Sequence, residues 1–336
     1  MSGTLKRDEL DRLAAFYSLS PDDTLRMLDL ADARPSRAAG LDFVARCLRY
    51  GGILSLASAL VFFVAANWSR FAVFGRFALV EAFLLGCVAV ALAWPPPRFT
   101  GRGALFLAFV ATGALLALFG QTYQTGADVY ELFLAWALLG LPLAIAASWA
   151  VASAAWALVL NAALLLYCGW QPQGGMLWTL FDNRHLGLAP VLLTAAFVNL
   201  ALWMVLRKWT LAAVPDWVQR LLVFFAMLFV TWLGVRAAVQ GFDSYRHEPP
   251  ALAFFGTLIA LAIPVAAALR ERRDVFALVL AGTAAIIIVT CLIPRAFKSL
   301  NEGLLLLMAL WLIGASTLAG RMLVYLHRRW RAERAP

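Results

Sequence analysis

Charged residues are scarce in this sequence. They make up 14% of the 336 residues, whereas hydrophobic residues make up 63%. A soluble domain carries roughly a quarter charged residues, so this composition excludes an ordinary soluble globular protein. The charges that are present stand mostly near the two ends of the chain and in short clusters between apolar runs. Apolar runs of about 20 residues predict helices that cross the roughly 30 Å hydrocarbon core of a bilayer.

Targeting and catalytic signals are also missing. No apolar core falls within about the first 30 residues, so the sequence predicts no cleavable signal peptide. Four cysteines, Cys47, Cys87, Cys168 and Cys291, lack metal or redox spacing and are interpreted as small buried hydrophobic residues. There is no P-loop, paired-glycine dinucleotide motif, HExxH or nucleophile elbow. These absences favour a non-enzymatic protein, and no cofactor is predicted.

The apolar runs predict an all-α, polytopic transmembrane bundle of about ten helices. Crossings are expected near residues 49–67, 77–94, 103–122, 129–147, 150–169, 187–206, 217–239, 250–269, 275–293 and 303–326. Residues 129–170 form one apolar run of about 40 residues. At about 1.5 Å per residue this run is too long for one crossing, so a tight turn is predicted near Ser148. Pro142 and Pro264 fall inside crossings and are expected to kink them.

The distribution of lysine and arginine predicts the orientation. With ten crossings and the N-terminus inside, 21 of these residues fall in cytoplasmic segments and seven fall outside. A single crossing at 129–170 would change the division to 15 and 13. The positive-inside rule therefore predicts ten crossings with both termini in the cytoplasm. The net charge of +9 is explained by this orientation, and no nucleic-acid partner is expected.

This topology divides the chain into five predicted regions. They are a cytoplasmic amphipathic helical region (1–48), five transmembrane helices (49–169), an outer loop (170–186), five further transmembrane helices (187–326) and a basic cytoplasmic tail (327–336). In the first region, Ser20 is expected to cap a helix that begins at Pro21. About 40 residues cannot build a sizeable core. Residues 1–48 are therefore expected to dock on the bundle or to bind a cytoplasmic partner.

Polar residues collect on the side that is predicted to face outward. The predicted polar cavity is lined by Asn67, Trp68, Glu81, Gln121, Tyr123, Gln124, Asp128, Glu131 and Arg236. Ionisable groups inside a bilayer are costly and often mark functional sites, and Arg236 or Arg76 is the expected partner of Glu81. The alternative for Asn67, Trp68 and the glutamines is an interfacial belt of aromatic and helix-capping residues. Asn161 and Asn199, in mid-crossing, are expected to bond between helices.

Two outer loops contain residues of metal-ligand type. His185 and His247 are weak metal candidates, together with neighbouring Asp182 and Asp243. Their spacing matches no compact ligand motif, so solvated loops without a metal are the expected state.

Residues 5–167 resemble a bacterial family of predicted membrane proteins, domain of unknown function 2157. The resemblance is carried by Phe62-Phe63-Val64-Ala65-Ala66-Asn67-Trp68 and by the longer run Gly120-Gln121-Thr122-Tyr123-Gln124-Thr125-Gly126-Ala127-Asp128-Val129-Tyr130-Glu131-Leu132-Phe133, followed by Trp136-Ala137-Leu138-Leu139. It implies a multi-pass protein of the bacterial inner membrane, surrounded by lipid. It also implies that the segment from Gly120 to Glu131 is important, and it assigns no catalytic role.

Three functions remain open. The favoured one is a transporter-like protein whose outward polar cavity receives a small polar solute, an ion or a lipid headgroup. The second is a scaffold or assembly subunit whose N-terminal region binds a cytoplasmic partner. The third is a membrane-embedded enzyme acting on lipid, with Glu131 or Asp128 as general base. The third function requires a nucleophile or metal beside the base, and the sequence shows neither.

Overall fold

The structure, a computed structural model, describes residues 7–31, 37–66, 72–123, 126, 128–169, 188–208, 215–240, 250–272, 274–297 and 302–332. Within these ranges 92% of the residues are helical and none is in a strand. The all-α class predicted from the apolar runs is therefore confirmed.

Twelve α-helices lie in the described ranges. They are α1 (Arg7–Phe16), α2 (Pro21–Leu30), α3 (Arg37–Ala66), α4 (Val73–Ala93), α5 (Phe99–Tyr123), α6 (Val129–Ala147), α7 (Ala150–Tyr167), α8 (Leu188–Lys208), α9 (Asp216–Gln240), α10 (Pro250–Ala267), α11 (Val275–Leu292) and α12 (Glu302–Ala332). A π-helical turn (Ala268–Arg272) follows α10, and a 3-10 turn (Ile293–Ala296) follows α11. Among the described helices, ten (α3 to α12) are long and apolar enough to cross a membrane, which confirms the predicted number.

The clearest difference from the predicted boundaries is at α3. This helix begins at Arg37, whereas the first crossing was predicted to begin near residue 49. The amphipathic stretch from Leu41 to Tyr50 and the first apolar run form one continuous helix, which passes through Gly51 and Gly52 without a break. Gly40 also lies inside α3.

The chain forms two compact units, Met1–Ala66 and Asn67–Pro336. In the first unit, α1 contacts α2. The predicted start of α2 is confirmed: the backbone N–H of Asp23 donates to Ser20 Oγ at 3.2 Å, and Pro21 is the first helical residue. Leu10 and Leu28 are buried, whereas Phe16 is 80% exposed and Leu30 is 90% exposed. This short region thus carries apolar side chains that its own fold leaves uncovered.

In the second unit, α4 to α7 pack in chain order, and α8, α10 and α11 pack around α9. Contacts join α4 to α5, α5 to α6 and α6 to α7, and α9 contacts α7, α8, α10 and α11. Helix α9 contributes Phe229, Trp232 and Leu233 to the most buried part of the core. Among the ten apolar helices described, α9 has the largest buried share of its span. Helices α4 to α7 and the later helices thus meet where α7 contacts α9 and where Asn161 of α7 bonds to Asn199 of α8.

The long apolar run divides as predicted. Helix α6 ends at Ala147, Ser148 adopts a left-handed conformation with φ of 45°, and α7 begins at Ala150. The backbone N–H of Ser148 donates to the carbonyl of Ile145 at 3.0 Å, which closes the turn. Pro142 and Pro264 lie inside α6 and α10, as predicted.

Helices α5 and α6 approach closely because glycines face aromatic rings. A Cβ atom built on Gly113 of α5 would overlap the ring of Trp136, and one built on Gly140 of α6 would lie 2.5 Å from the ring of Phe109. Trp136 Nε1 also donates to the carbonyl oxygen of Phe109 at 2.8 Å. The indole therefore fills the groove and satisfies its polar atom inside the bundle.

Two buried asparagines join α7 to α8. Asn161 Nδ2 donates to Asn199 Oδ1 at 3.0 Å, and Asn199 Nδ2 donates to Asn161 Oδ1 at 2.8 Å. Each amide also donates to the carbonyl four residues earlier in its own helix, Ala157 or Ala195. Both side chains are 0% exposed. The expectation that these residues bond between helices is confirmed.

Candidate functional site

Aromatic contacts bring four helix ends together in pairs. Phe77, in the second turn of α4, lies 6.1 Å from the ring of Tyr123 at the end of α5. Tyr130, at the start of α6, lies 4.9 Å from the ring of Tyr167 at the end of α7. The predicted cavity residues of α4, α5 and α6 therefore lie near helix ends that contact their neighbours through aromatic rings.

An acidic group stands at the start of α6. Asp128 occupies the N-cap position with φ of −66° and ψ of 149°, but its side chain makes no capping hydrogen bond. Its carbonyl accepts from the backbone N–H of Glu131 at 3.0 Å. The hydroxyl of Tyr130 donates to Glu131 Oε1 at 3.4 Å. Carboxylates are favourable at the positive end of a helix dipole, which explains why this sequence tolerates two of them at the edge of an apolar segment.

We call Asp128, Tyr130, Glu131 and Tyr167 the acid–tyrosine cluster. Asp128 and Glu131 are exposed, and Tyr130 is half-buried against Tyr167. Exposed carboxylates next to phenol groups can accept hydrogen bonds from a polar solute or bind a cation. Gln121 and Tyr123, at the end of α5, are also exposed.

Glu81 lies on α4, a different helix from those that carry this cluster. It follows Phe77 by one turn and is exposed on the surface of its unit, well inside the apolar span Val73–Ala93. The predicted cavity residues Asn67, Trp68 and Gln124 lie outside the described residues, as do the weak metal candidates His185 and His247.

Arg236 has a different environment from the one expected. It lies near the end of α9 and is 4% exposed, and α9 contacts α7, α8, α10 and α11. Within the described ranges no ion pair or hydrogen bond joins Arg236 to Glu81. The predicted pairing of these two residues is therefore not found, because α4 packs chiefly against α5.

No group of three or more His, Cys, Asp or Glu residues in the described ranges is arranged to hold a metal ion.

The sequence interpretation missed a pocket in the second half of the chain. Its volume is about 790 Å³, and it is lined by the last turns of α8 and α12 and the first turns of α9 and α11. Arg207, Arg220 and Arg328 contribute positive charge, and Trp203 and Phe276 contribute aromatic surface. The signal in the sequence was the cluster of basic residues at successive helix ends, which we interpreted only as an orientation signal.

The ten described helices that are long and apolar enough to cross a membrane define a polytopic membrane protein. Residues 2–153 match the model of a family described as Predicted membrane protein (DUF2157). The resemblance inferred from the motifs is thus confirmed for the N-terminal half of the chain. No curated protein and no solved structure matches the chain.

Proposed function

We propose that this protein is a non-enzymatic, transport-related protein of the bacterial inner membrane. In this proposal, the acid–tyrosine cluster and Glu81 belong to an outward-facing polar site that receives a small polar solute, an ion or a lipid headgroup. The observation that carries the proposal is the exposed pair Asp128 and Glu131, with Tyr130 donating to Glu131 at 3.4 Å. Both acids fall in the segment that the family resemblance singles out.

The position of Glu81 supports the same proposal. An ionisable side chain within a membrane span is costly unless it faces a polar cavity or a partner. Glu81 is exposed and, in the described part of the chain, makes no ion pair. A polar solute, an ion or a headgroup would supply the interaction that the carboxylate requires. The pairing with Arg236 is not part of the proposal.

The test compares glutamine variants of the two carboxylates. In a strain that lacks the gene, we expect Glu81→Gln combined with Glu131→Gln to leave the deletion phenotype uncorrected, although the variant protein is present in the membrane at the wild-type level. Glu302→Gln, which changes an exposed glutamate at the start of α12, is the matched control and should restore the phenotype. Full complementation by the double variant would refute a role for these carboxylates.

A second candidate is a scaffold or assembly subunit. It is favoured by the uncovered apolar residues of the first unit: Phe16, Leu25 and Leu30 on α1 and α2, and Tyr17 just after α1, are all exposed. Exposed apolar patches commonly mark interaction surfaces. Co-purification tests this candidate: it predicts a stoichiometric partner that is lost when residues 1–40 are deleted. A partner retained by that deletion variant would contradict the assignment of binding to this region.

A further inference from the structure

We propose that the pocket between the ends of α8, α9, α11 and α12 binds a phosphate group, carried either by an anionic phospholipid or by a soluble phosphate compound. We call it the basic pocket. Its volume of about 790 Å³ lies in the range of roughly 300–1,000 Å³ that is typical of small-molecule sites. The inference concerns helices other than those of the acid–tyrosine cluster, and it does not depend on the proposed function.

The charge of the basic pocket favours an anion. The charged or titratable lining residues are Arg207, Arg220, His327, Arg328, Asp216 and Asp274. Asp274 is already engaged: its Oδ1 accepts from the backbone N–H of Phe276 at 3.1 Å and from Arg220 Nη2 at 3.5 Å. Asp274 therefore caps α11 and orients Arg220. The three arginines outnumber the two acids, which leaves an excess of positive charge.

Two of the arginines are held in place by their surroundings. Arg207 lies with its Cζ 5.0 Å from the ring centre of Trp203, and its Nη2 donates to the carbonyl of Ala267 at 3.1 Å. Arg220 lies with its Cζ 5.5 Å from the ring centre of Phe276. A guanidinium has five N–H donors in a planar fork that matches phosphate oxygens, so the bond from Arg220 to Asp274 leaves other donors of Arg220 for a phosphate group. Orienting the guanidinium in advance lowers the entropy cost of binding.

The apolar side of the basic pocket is suited to a lipid. Val279, Leu323 and Val324 line it beside the arginines. Two further apolar side chains of α12, close to the pocket residues in sequence, are exposed: Met322 is 60% exposed and Leu318 is 70% exposed. Basic pockets between membrane helices at a charged interface recognise lipid headgroups, and the exposed apolar face can accommodate acyl chains. Arg207, Arg220 and Arg328 all lie in segments that are predicted to be cytoplasmic.

The test uses the full chain purified in detergent and two phosphate probes. Phosphatidylglycerol is added and compared with phosphatidylcholine, and bound lipid is counted by native mass spectrometry. In the second arm, inorganic phosphate is added and compared with chloride at matched ionic strength, and the thermal unfolding midpoint is measured. Each arm is repeated with Arg220→Gln combined with Arg328→Gln, and with Arg328→Gln alone in case loss of the bond to Asp274 impairs folding. The control is Arg98→Gln combined with Arg321→Gln, which removes two exposed charges that do not line the basic pocket.

We expect the double pocket variant to weaken phosphate-dependent binding by about tenfold or more, and Arg328→Gln alone to weaken it less, because charge-assisted hydrogen bonds are lost. The control variant should bind as the wild type does. A preference for phosphatidylglycerol without a response to inorganic phosphate would assign the site to a lipid headgroup, whereas a response to inorganic phosphate would assign it to a soluble compound. The proposal is overturned if the wild type prefers neither probe, or if the pocket and control variants lose binding equally.

Discussion

Cys168 illustrates how burial controls the chemistry of a single side chain. It lies just after α7, at the end of the predicted crossing 150–169, and is 1% exposed. A reagent in solution therefore has little access to its sulfur, and a thiol in apolar surroundings ionises less readily than an exposed one. Since the thiolate is the nucleophile, Cys168 should be unreactive in the folded protein. The interpretation of the cysteines as small buried hydrophobic residues is confirmed at Cys87 and Cys168, but Cys47 is exposed.

Alkylation tests this difference. A variant that retains only Cys168, with the other three cysteines changed to alanine, should resist maleimide in detergent at about pH 8 and become labelled after denaturation in SDS. A variant that retains only Cys47 should be labelled in the folded state and serves as the control. Labelling of folded Cys168 at the rate of Cys47 would contradict its burial.

The glycine at position 113 is required by the indole of Trp136. Gly113→Ala should lower the stability of the protein by about 1–3 kcal/mol, because the new methyl group overlaps the ring and forces it out of the groove. Gly120→Ala in the same helix is the control, since its nearest neighbour would be Leu132 Cδ1 at 4.0 Å. The measurement is the midpoint of thermal unfolding in detergent. Equal midpoints for the two variants would show that the close contact between Gly113 and Trp136 does not affect stability.

Among the contacts between helices, the hydrogen bonds that join Asn161 of α7 to Asn199 of α8 are the clearest polar link. We expect Asn161→Ala and Asn199→Ala each to destabilise the protein by about 1–2 kcal/mol, because each leaves the other buried amide short of a partner. The double variant should cost less than the sum of the two single variants. SDS-induced unfolding of all four proteins gives the coupling free energy.

Thr257→Ala is the control for this cycle. The Thr257 hydroxyl donates at 2.7 Å to the carbonyl of Ala253 in its own helix, so its loss should not couple to either asparagine. Strict additivity between Asn161→Ala and Asn199→Ala would contradict a direct bond between α7 and α8.

The elements were predictable where a local rule determines them. Apolar length gave the ten spans, the length of run 129–170 required the turn at Ser148, and Ser20 followed by Pro21 marked the start of α2. The first crossing was predicted to begin near residue 49 from its apolar length, and α3 extends back to Arg37 because the amphipathic stretch before that residue continues the same helix. Contacts between elements were much less accessible, as Trp136 bonding to Phe109 shows, because a sequence does not state which faces meet.

The difference between local rules and long-range contacts also explains which parts of the two sites could be predicted. The acidic residues of the acid–tyrosine cluster stand close together in sequence, so their proximity was predictable, whereas the partner Tyr167 was not. Arg236, with Arg76 as the alternative, was expected to pair with Glu81 because these are charged residues near the predicted outer side. Helices α4 and α9, which carry Glu81 and Arg236, have other principal neighbours. The basic pocket was missed because its residues come from four helix ends spread between positions 203 and 330. The basic pocket forms only when these four helix ends pack together, and no local sequence pattern marks it.

For the whole molecule, orientation is the property that links the sites to the two sides of the membrane. Successive crossings reverse direction, so the turn between α5 and α6 should face the opposite side from the connection between α4 and α5. The lysine and arginine distribution predicts that the turn between α5 and α6 faces outward and that the connection between α4 and α5 faces the cytoplasm. The outward polar site depends on this arrangement.

Cysteine accessibility in intact bacterial cells tests the predicted orientation most directly. In a background without native cysteines, Val129→Cys and Arg98→Cys place single thiols at exposed positions of these two turns. A membrane-impermeant maleimide should label Val129→Cys in intact cells and Arg98→Cys only after the membrane is permeabilised. Labelling of Arg98→Cys in intact cells, with Val129→Cys protected until permeabilisation, would reverse the orientation and contradict an outward-facing site.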